Sequence, residues 1–302
     1  MALKSQFLYF FVDKTSDGGA MTRILRAIGL AALLLAIAWP AGAQWPAWPT
    51  RDVPRTPDGE VDMDAPPPRT ADGHIDFTGV WAARFNFGGR GGPPGQGLDA
   101  NAEQTPSDSP PVATFGDIAR NIEGGAPFTE WGRETKEQRV ARNMQDNPDA
   151  HCLPMGHMQF HLHPQPREMI QTEDQIVMLY EGNGGIRQIH LDGRPSPDNN
   201  PLPWWYGYST GHWEGDELVV VTTHMKDDGW LDVNGSPFTS QGTITERFRR
   251  PTFGRLEIDV TIEDPVAYTE PFTVRVNQQI MVDTSLIEFV CIENEQSVEY
   301  YD

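Results

Sequence analysis

The chain has 302 residues and a formal net charge of −20, with 43 acidic residues against 23 lysines and arginines, and two cysteines. An acidic chain repels phosphate backbones and anionic lipid, so nucleic acid and membrane surfaces are poor partners for it. The length suits one large β domain or two small ones, and it is sufficient to bury a hydrophobic core.

Residues 1–43 are predicted to be a leader that is removed from the mature protein. Two arginines precede an apolar run at 27–39, and a small-residue Ala-Gly-Ala sequence follows at 41–43. This order is typical of a secretory signal peptide, with cleavage after Ala43 and a true start at Met21. The apolar run is too short to span a bilayer, although an uncleaved anchor is the alternative. The sequence thus predicts a secreted or periplasmic protein without membrane insertion after cleavage.

The first part of the mature chain is poor in regular structure. Residues 44–75 are rich in proline and polar residues and are expected to form an extended arm. A single β-rich domain is predicted at 76–302, and its first strand lies within 75–87. The glycine- and proline-rich stretch at 88–112 is expected to be a loop or disordered insertion.

One short helix is predicted at 129–145. Thr129 can accept a hydrogen bond from the first turn as an N-cap, and charged residues at helical spacing follow it.

From residue 168 onward, apolar and polar residues alternate with a period of two. Turn residues separate the segments, and no helical pattern lies between them. We therefore expect a mainly all-β fold, an antiparallel meander closed into a lipocalin-like barrel or packed as a sandwich. Parallel pairing is not expected because no connection accommodates a crossover helix. The predicted strands are 168–172, 175–181, 186–191, 205–214, 217–225, 242–250, 255–263, 271–282 and 285–293.

Cys152 and Cys291 are expected to form a disulfide. An exported protein with an even number of cysteines and no leftover thiol usually pairs them. The alternative is that Cys152 is a metal thiolate beside the neighbouring histidines, which would leave Cys291 as a free thiol.

Several phrases of the chain resemble a large family of exported bacterial proteins without an assigned activity. The phrases are DFTGVW, GYSTGHWEGDELVVVTTHM, GWLDVNGSP, TERFRR and VTIEDPVAYTEPFTV. The family pattern is DLSGVW, WEGDTLVVETTNF, TWLD, ERF and DPKxYTRPWT, and the resemblance covers residues 76–295. It implies export and one contiguous β-rich unit. Two departures add imidazole: His224 replaces the usual Asn, and the histidine-rich 157–163 replaces an apolar or proline-rich run.

Glu246 and His224 are the predicted acid–base pair. Glu246 shares a strand face with Ile244 and Phe248, so its carboxylate should point inward, where a lone charge is costly. His224 is expected on the inner face of its own strand. A buried Glu with a raised pKa beside a His is a workable general acid–base pair. The alternative is a structural ion pair between Glu246 and an inward Arg187.

The histidine-rich stretch HCLPMGHMQFHLHP, at 151–164, is a candidate metal site. In an extended segment, His161 and His163 project to one side, as metal-binding His-x-His pairs do. His157, His212 or His224 would supply a third ligand, and zinc or copper would suit such a site. The alternative is a rigid surface loop that happens to contain histidines.

A run of aromatic residues is expected either to fill the core or to form the wall of a ligand pocket that includes Arg187. These residues are Trp204, Trp205, Tyr206 and Tyr208.

We therefore expect a secreted small-molecule enzyme that uses acid–base or metal-assisted chemistry of hydrolase, lyase or isomerase type in a barrel pocket. The alternatives are a non-catalytic periplasmic binding protein for a small apolar or sugar-like ligand and an envelope structural or interaction module. An enzyme needs two titratable groups in mutual reach, whereas a carrier pocket can be apolar with polar groups at its rim.

Overall fold

Nine strands, joined edge to edge in chain order, form a closed barrel in which β1 pairs with both β2 and β9. The computed structural model describes residues 49–83, 109–197, 202–227 and 229–293. The predicted mainly all-β barrel is confirmed. The strands are β1 (Gly79–Ala83), β2 (Arg167–Gln171), β3 (Gln175–Tyr180), β4 (Ile186–His190), β5 (Tyr208–Glu214), β6 (Glu217–Thr223), β7 (Thr243–Thr252), β8 (Arg255–Glu263) and β9 (Phe272–Met281).

The predicted leader, the first residues of the arm and most of the 88–112 insertion lie outside the described residues. Within the described part of the chain, no helix is long and apolar enough to cross a membrane.

Two features of the sheet differ from the expected meander. β4 and β5 pair in parallel, with Ile189 opposite Ser209, because the connection at 191–207 is long enough to return the chain to the same end of the barrel. The expected strand at 285–293 is absent, and this segment instead ends in a short 3-10 helix at Cys291–Glu293.

Among the described residues, two α-helices accompany the barrel. α1 (Glu130–Ala141) lies within the predicted helix, and the Thr129 hydroxyl accepts a hydrogen bond from the Gly132 amide at 3.0 Å, which confirms the N-cap. α2 (His157–Leu162) was not predicted, and all six of its residues are buried.

The arm folds onto the barrel as a repeated turn that sequence reasoning missed. Residues 54–62 and 68–76 share the pattern Pro-Arg-Thr-x-Asp-Gly-x-(Val/Ile)-Asp. In each copy the threonine amide donates to the carbonyl four residues later, at 2.9 Å, and the arginine bridges to the glycine carbonyl. The arm is anchored to the barrel at the β7–β8 turn, where the Phe253 amide donates to the Ala65 carbonyl at 2.7 Å.

The interior of the barrel is mostly apolar, with one polar layer and, apart from it, the buried Arg250 on the same face of β7. In β7, β8 and β9, alternate residues face inward and are almost completely buried, as the period-two pattern predicted. The polar layer lies where α2 meets the inner faces of the strands. Its members are His157, His161, Arg167, Arg187, Ser209, Thr222, Glu246 and Gln278, and all are buried.

The predicted disulfide is confirmed. Cys152 and Cys291 are bonded, with their Cα atoms 5.5 Å apart, so the metal-thiolate alternative is wrong. The bond ties the segment before α2 to the segment after β9.

Candidate metal centre

α2 places two histidines one turn apart on a single face. It begins after Gly156, where a Cβ atom would lie 1.7 Å from the Trp230 carbonyl oxygen, so only glycine fits there. His157 and His161 are separated by four residues, a spacing that stacks side chains on one helix face. Their rings lie 5.7 Å apart between centroids.

Both histidines face the inward carboxylate of Glu246. His161 Nε2 is 2.6 Å from Glu246 Oε1, and His157 Nε2 is 3.3 Å from Glu246 Oε2. The three side chains offer one ligand atom each, and these atoms all lie within 4.8 Å of one another. Two imidazoles at this helical spacing with a distant carboxylate form a ligand set that zinc uses in enzymes. The predicted inward orientation of Glu246 is confirmed, since its side chain is completely buried.

Arg187 holds the carboxylate of Glu246 from the other side. Its Nη1 donates to Glu246 Oε1 at 3.1 Å, and its Nη2 donates to Oε2. The same guanidinium donates to the Ser209 hydroxyl at 3.1 Å and to the Thr222 hydroxyl at 3.0 Å. The ion pair that sequence analysis left as an alternative is therefore present, and it fixes the orientation of Glu246 towards the histidines.

The charges around Glu246 determine its protonation state. Burial by itself raises the pKa of this carboxyl group, but the Arg187 guanidinium, together with the hydrogen bond from His161, more than offsets it and holds the pKa well below the usual value. The raised pKa expected from the sequence is therefore wrong, because the neighbouring guanidinium was not part of that expectation. Glu246 is a carboxylate at neutral pH.

Both histidines are neutral at neutral pH. Burial lowers the pKa of His161 to about 4 although the hydrogen bond to Glu246 acts in the opposite direction. Burial and the Arg187 charge lower the pKa of His157. A metal binds neutral imidazole and ionised carboxylate, so the charges of the three groups already suit coordination. Binding through His161 Nε2 would move the ring proton, now donated to Glu246, to the buried and unpartnered Nδ1 atom.

The hydrogen bonding of His157 is incomplete on the side that faces Glu246. Its ring bonds to the backbone of Tyr206, and its Nε2 atom lies 3.3 Å from Glu246 Oε2 without the alignment of a hydrogen bond. A cation between the nitrogen and the carboxylate would satisfy both of these buried groups.

We expect the protein to lose stability as the pH falls because His161 is buried in its neutral form. The unfolded chain binds a proton at its ordinary pKa near 6.5, whereas the folded chain does not until about pH 4. The resulting stability is complete above pH 6.5 and is lost as the pH falls towards 4. In EDTA, the advantage of wild type over His161→Gln in the free energy of unfolding should shrink by about 2 kcal/mol between pH 7 and pH 5. The control is His212→Gln, an exposed histidine on β5; an equal shrinkage there would contradict the assignment.

His163 and His224 do not join this cluster. His163 ends α2, stacks edge-on against Phe115 and accepts from the Gln165 amide, because the segment is helical and consecutive odd positions no longer share a side. His224 has a φ of 59° just after β6 ends at Thr223, so strand alternation no longer applies to it. Its Nδ1 atom lies 2.8 Å from the Thr223 hydroxyl. The surface-loop alternative is also wrong, since α2 is buried.

The predicted aromatic wall does not form one surface. Trp204 is 42% exposed and packs against Tyr208 on the outside, with 5.8 Å between ring centroids. Trp205 stacks under Lys226 and lines a surface cavity of about 680 Å³. Only Tyr206 reaches the polar layer, where it packs edge-on against Phe160.

Sequence reasoning missed Arg167 and Gln278, whose side chains both donate to the carbonyl of His161, at 3.4 and 3.1 Å. Alternation along β2 and β9 would have placed both on the inner face, beside Met169 and Val276, had it been applied to these polar residues.

Comparison with models of protein families, with curated proteins and with solved structures finds no match for this chain.

Proposed function

We propose that this protein is a secreted small-molecule enzyme whose chemistry is assisted by a zinc ion bound to His157, His161 and Glu246. The observation that carries the proposal is the convergence of the three buried ligand atoms within 4.8 Å, with His157 Nε2 beside the carboxylate but without a hydrogen bond of good geometry to it. His157, His161 and Glu246 would hold the ion, and a zinc ion with three protein ligands would supply the activation of a water molecule for hydrolysis or for the addition and elimination of water.

Arg187 has a defined part in this proposal. Its two hydrogen bonds hold the Glu246 carboxylate in place, as groups around a metal ligand commonly do. It also partly neutralises the carboxylate, which should favour a loosely held ion over a tightly held one. The surrounding barrel excludes bulk water, so the electrostatic effect of the ion on a bound molecule would be strong.

Metal binding is expected to depend on the three ligands and on no other histidine of the helix. Untagged protein exposed to zinc and then dialysed should retain close to one equivalent, whereas a His157→Ala, His161→Ala double variant should retain less than about a tenth, since a ligand pair cannot be dispensable. His163→Ala is the matched control because His163 is two residues from His161 but outside the cluster. Elemental analysis measures the outcome. Equal loading of the double variant, or no loading of wild type, would overturn the centre.

A second candidate function is that of a non-catalytic binding protein, in which the metal centre is closed to other molecules. The burial of the three ligand side chains, His157, His161 and Glu246, favours this alternative. Cobalt substitution distinguishes the two. If the fourth position is open, azide should change the visible spectrum of the cobalt protein, as it does when it replaces bound water. An unchanged spectrum with cobalt bound would favour the closed site and contradict the enzyme.

A further inference from the structure

Arg167 is a completely buried cation that forms no ion pair with a carboxylate of the described residues, although the charge of Glu246 acts on it from a distance. On β2, it donates from Nη1 to the Phe160 carbonyl at 2.8 Å and from Nη2 to the His161 carbonyl at 3.4 Å. Its Nε atom has no hydrogen-bond partner within the described segments, and no carboxylate of those segments forms an ion pair with it. The guanidinium therefore keeps one donor and much of its charge unused.

In two other buried arginines of this protein, Nε, Nη1 and Nη2 all donate hydrogen bonds. Arg187 uses Nε, Nη1 and Nη2 on Ser209, Glu246 and Thr222. Arg250 uses Nε and Nη2 on the Phe253 carbonyl, at 3.1 and 2.7 Å, and its Nη1 on a backbone carbonyl of the arm. Arg167 alone of these three has an unused Nε donor.

The carbonyls at the end of α2 account for only part of the cost of burying Arg167. A helix C-terminus attracts a cation, but α2 has six residues and a correspondingly small dipole. Burying a guanidinium without an anion costs several kcal/mol. Around the histidines, Arg167 and Arg187 face the single carboxylate of Glu246, so the polar layer has a surplus positive charge.

Unused acceptors and donors accompany Arg167. Gln278 donates to the same His161 carbonyl as Arg167, so the two side chains lie next to each other, and its Oε1 atom is buried without a partner. Buried polar groups in native proteins are usually satisfied by protein, water or ligand, so the adjacent unused groups of Arg167 and Gln278 are suited to binding a polar molecule.

We propose that the substrate carries a carboxylate group and that Arg167 binds it through Nε, beside the metal centre of the proposed function on which this inference rests. Arginine is the residue best suited to this task because its planar guanidinium donates to a carboxylate in a fixed geometry. Bound in this way, the substrate carboxylate would supply the missing negative charge. Gln278 Oε1 is available to a donor group on the substrate.

The test uses acetate as the probe and acetamide, its neutral counterpart, as the comparison. Melting temperature is measured in EDTA at constant ionic strength as either compound is added, because a ligand that binds the folded protein raises it with concentration. We expect acetate but not acetamide to stabilise wild type. Arg167→Met should weaken acetate binding about 10- to 100-fold, which is the effect of one charge-assisted hydrogen bond. Arg167→Lys should be intermediate, and Arg250→Lys, the matched control, should bind as wild type does.

Equal stabilisation of wild type and Arg167→Met by acetate, or no stabilisation of either, would contradict the proposal that Arg167 binds the substrate carboxylate. If Arg167→Met fails to fold, acetate binding by Arg167→Lys is the deciding measurement, because this variant keeps the charge but loses the planar donors. The same titration followed by the spectrum of the cobalt protein separates this inference from the proposed function. If cobalt binds but the effect of acetate does not depend on Arg167, the carboxylate-binding role of Arg167 is rejected and the metal centre is retained. An Arg167-dependent effect in EDTA without any metal binding retains an anion site and rejects the metal centre.

Discussion

Replacing Arg187 by methionine is expected to lower the free energy of unfolding by about 3–5 kcal/mol, the usual cost of leaving a buried charge without its partner. Glu246 is completely buried, and Arg187 is the only described cation that forms an ion pair with it apart from the histidines. The substitution also removes the hydrogen bonds that Arg187 donates to the hydroxyls of Ser209 and Thr222. These two hydroxyls would keep the hydrogen bond between them, at 2.9 Å. Chemical denaturation at pH 7 in EDTA measures the loss.

The double variant Arg187→Met, Glu246→Leu is the control that shows whether the loss of stability comes from an unpaired charge or from packing. Apolar residues of similar volume often replace a buried ion pair without loss of stability. We expect the double variant to regain most of what Arg187→Met loses, because no charge is left unpaired. An Arg187→Met protein as stable as wild type would contradict the role given to the pair. A double variant as unstable as the single one would show that packing around residue 187, not charge, is responsible.

The same pair of variants connects stability to function. If Glu246 and Arg187 were present only to hold the barrel together, an apolar pair would serve equally well. Under the proposed function, the double variant folds but lacks one of three metal ligands, so it should lose zinc while keeping its stability. That result would support the proposal that the carboxylate is kept for metal binding and not for stability.

Strand alternation accounts for the part of the site that the sequence predicted. Within β7 the inward side of Glu246 follows from its spacing to Ile244 and Phe248, both completely buried. Alternation persists in a long strand because each residue is fixed by its neighbours in the ladder. Arg187 was predicted as an ion-pair partner on the same basis, and the pair is present.

The histidines could not be placed in this way. α2 has six residues, and such a short helix is not stable by propensity alone, so it forms because the barrel buries every one of its side chains. The local sequence does not show that packing. Interpreted as an extended segment, it placed His161 and His163 on the same side, whereas the helix places His161 on the same side as His157. His224 was misplaced for a different reason: its strand ends one residue earlier, at Thr223.

Removing the disulfide is expected to lower the free energy of unfolding by up to about 5 kcal/mol, because a bond that closes so long a loop restricts the unfolded chain. Cys152 and Cys291 are separated by 139 positions. The folded state should change mainly near the bond. The segment from Thr284 to Glu293 makes few other contacts with the barrel, among them the Ile287 amide with Glu181 at 3.1 Å, and it exposes large apolar side chains such as Ile292, 73% exposed.

The measurement compares the Cys152→Ala, Cys291→Ala variant with wild type in guanidinium, together with amide hydrogen exchange. Exchange should accelerate in residues 284–293 and in the turn before α2, while amides of β6 to β9 stay protected because they depend on the barrel ladder. Wild type with reducing agent should behave as the variant does, which controls for the loss of the two side chains. An unchanged unfolding midpoint would mean that the reduced, unfolded chain is already compact. A general loss of protection throughout the barrel would contradict the view that the disulfide acts on the unfolded chain and on one end of the fold, since the barrel would then depend on the bond for its own closure.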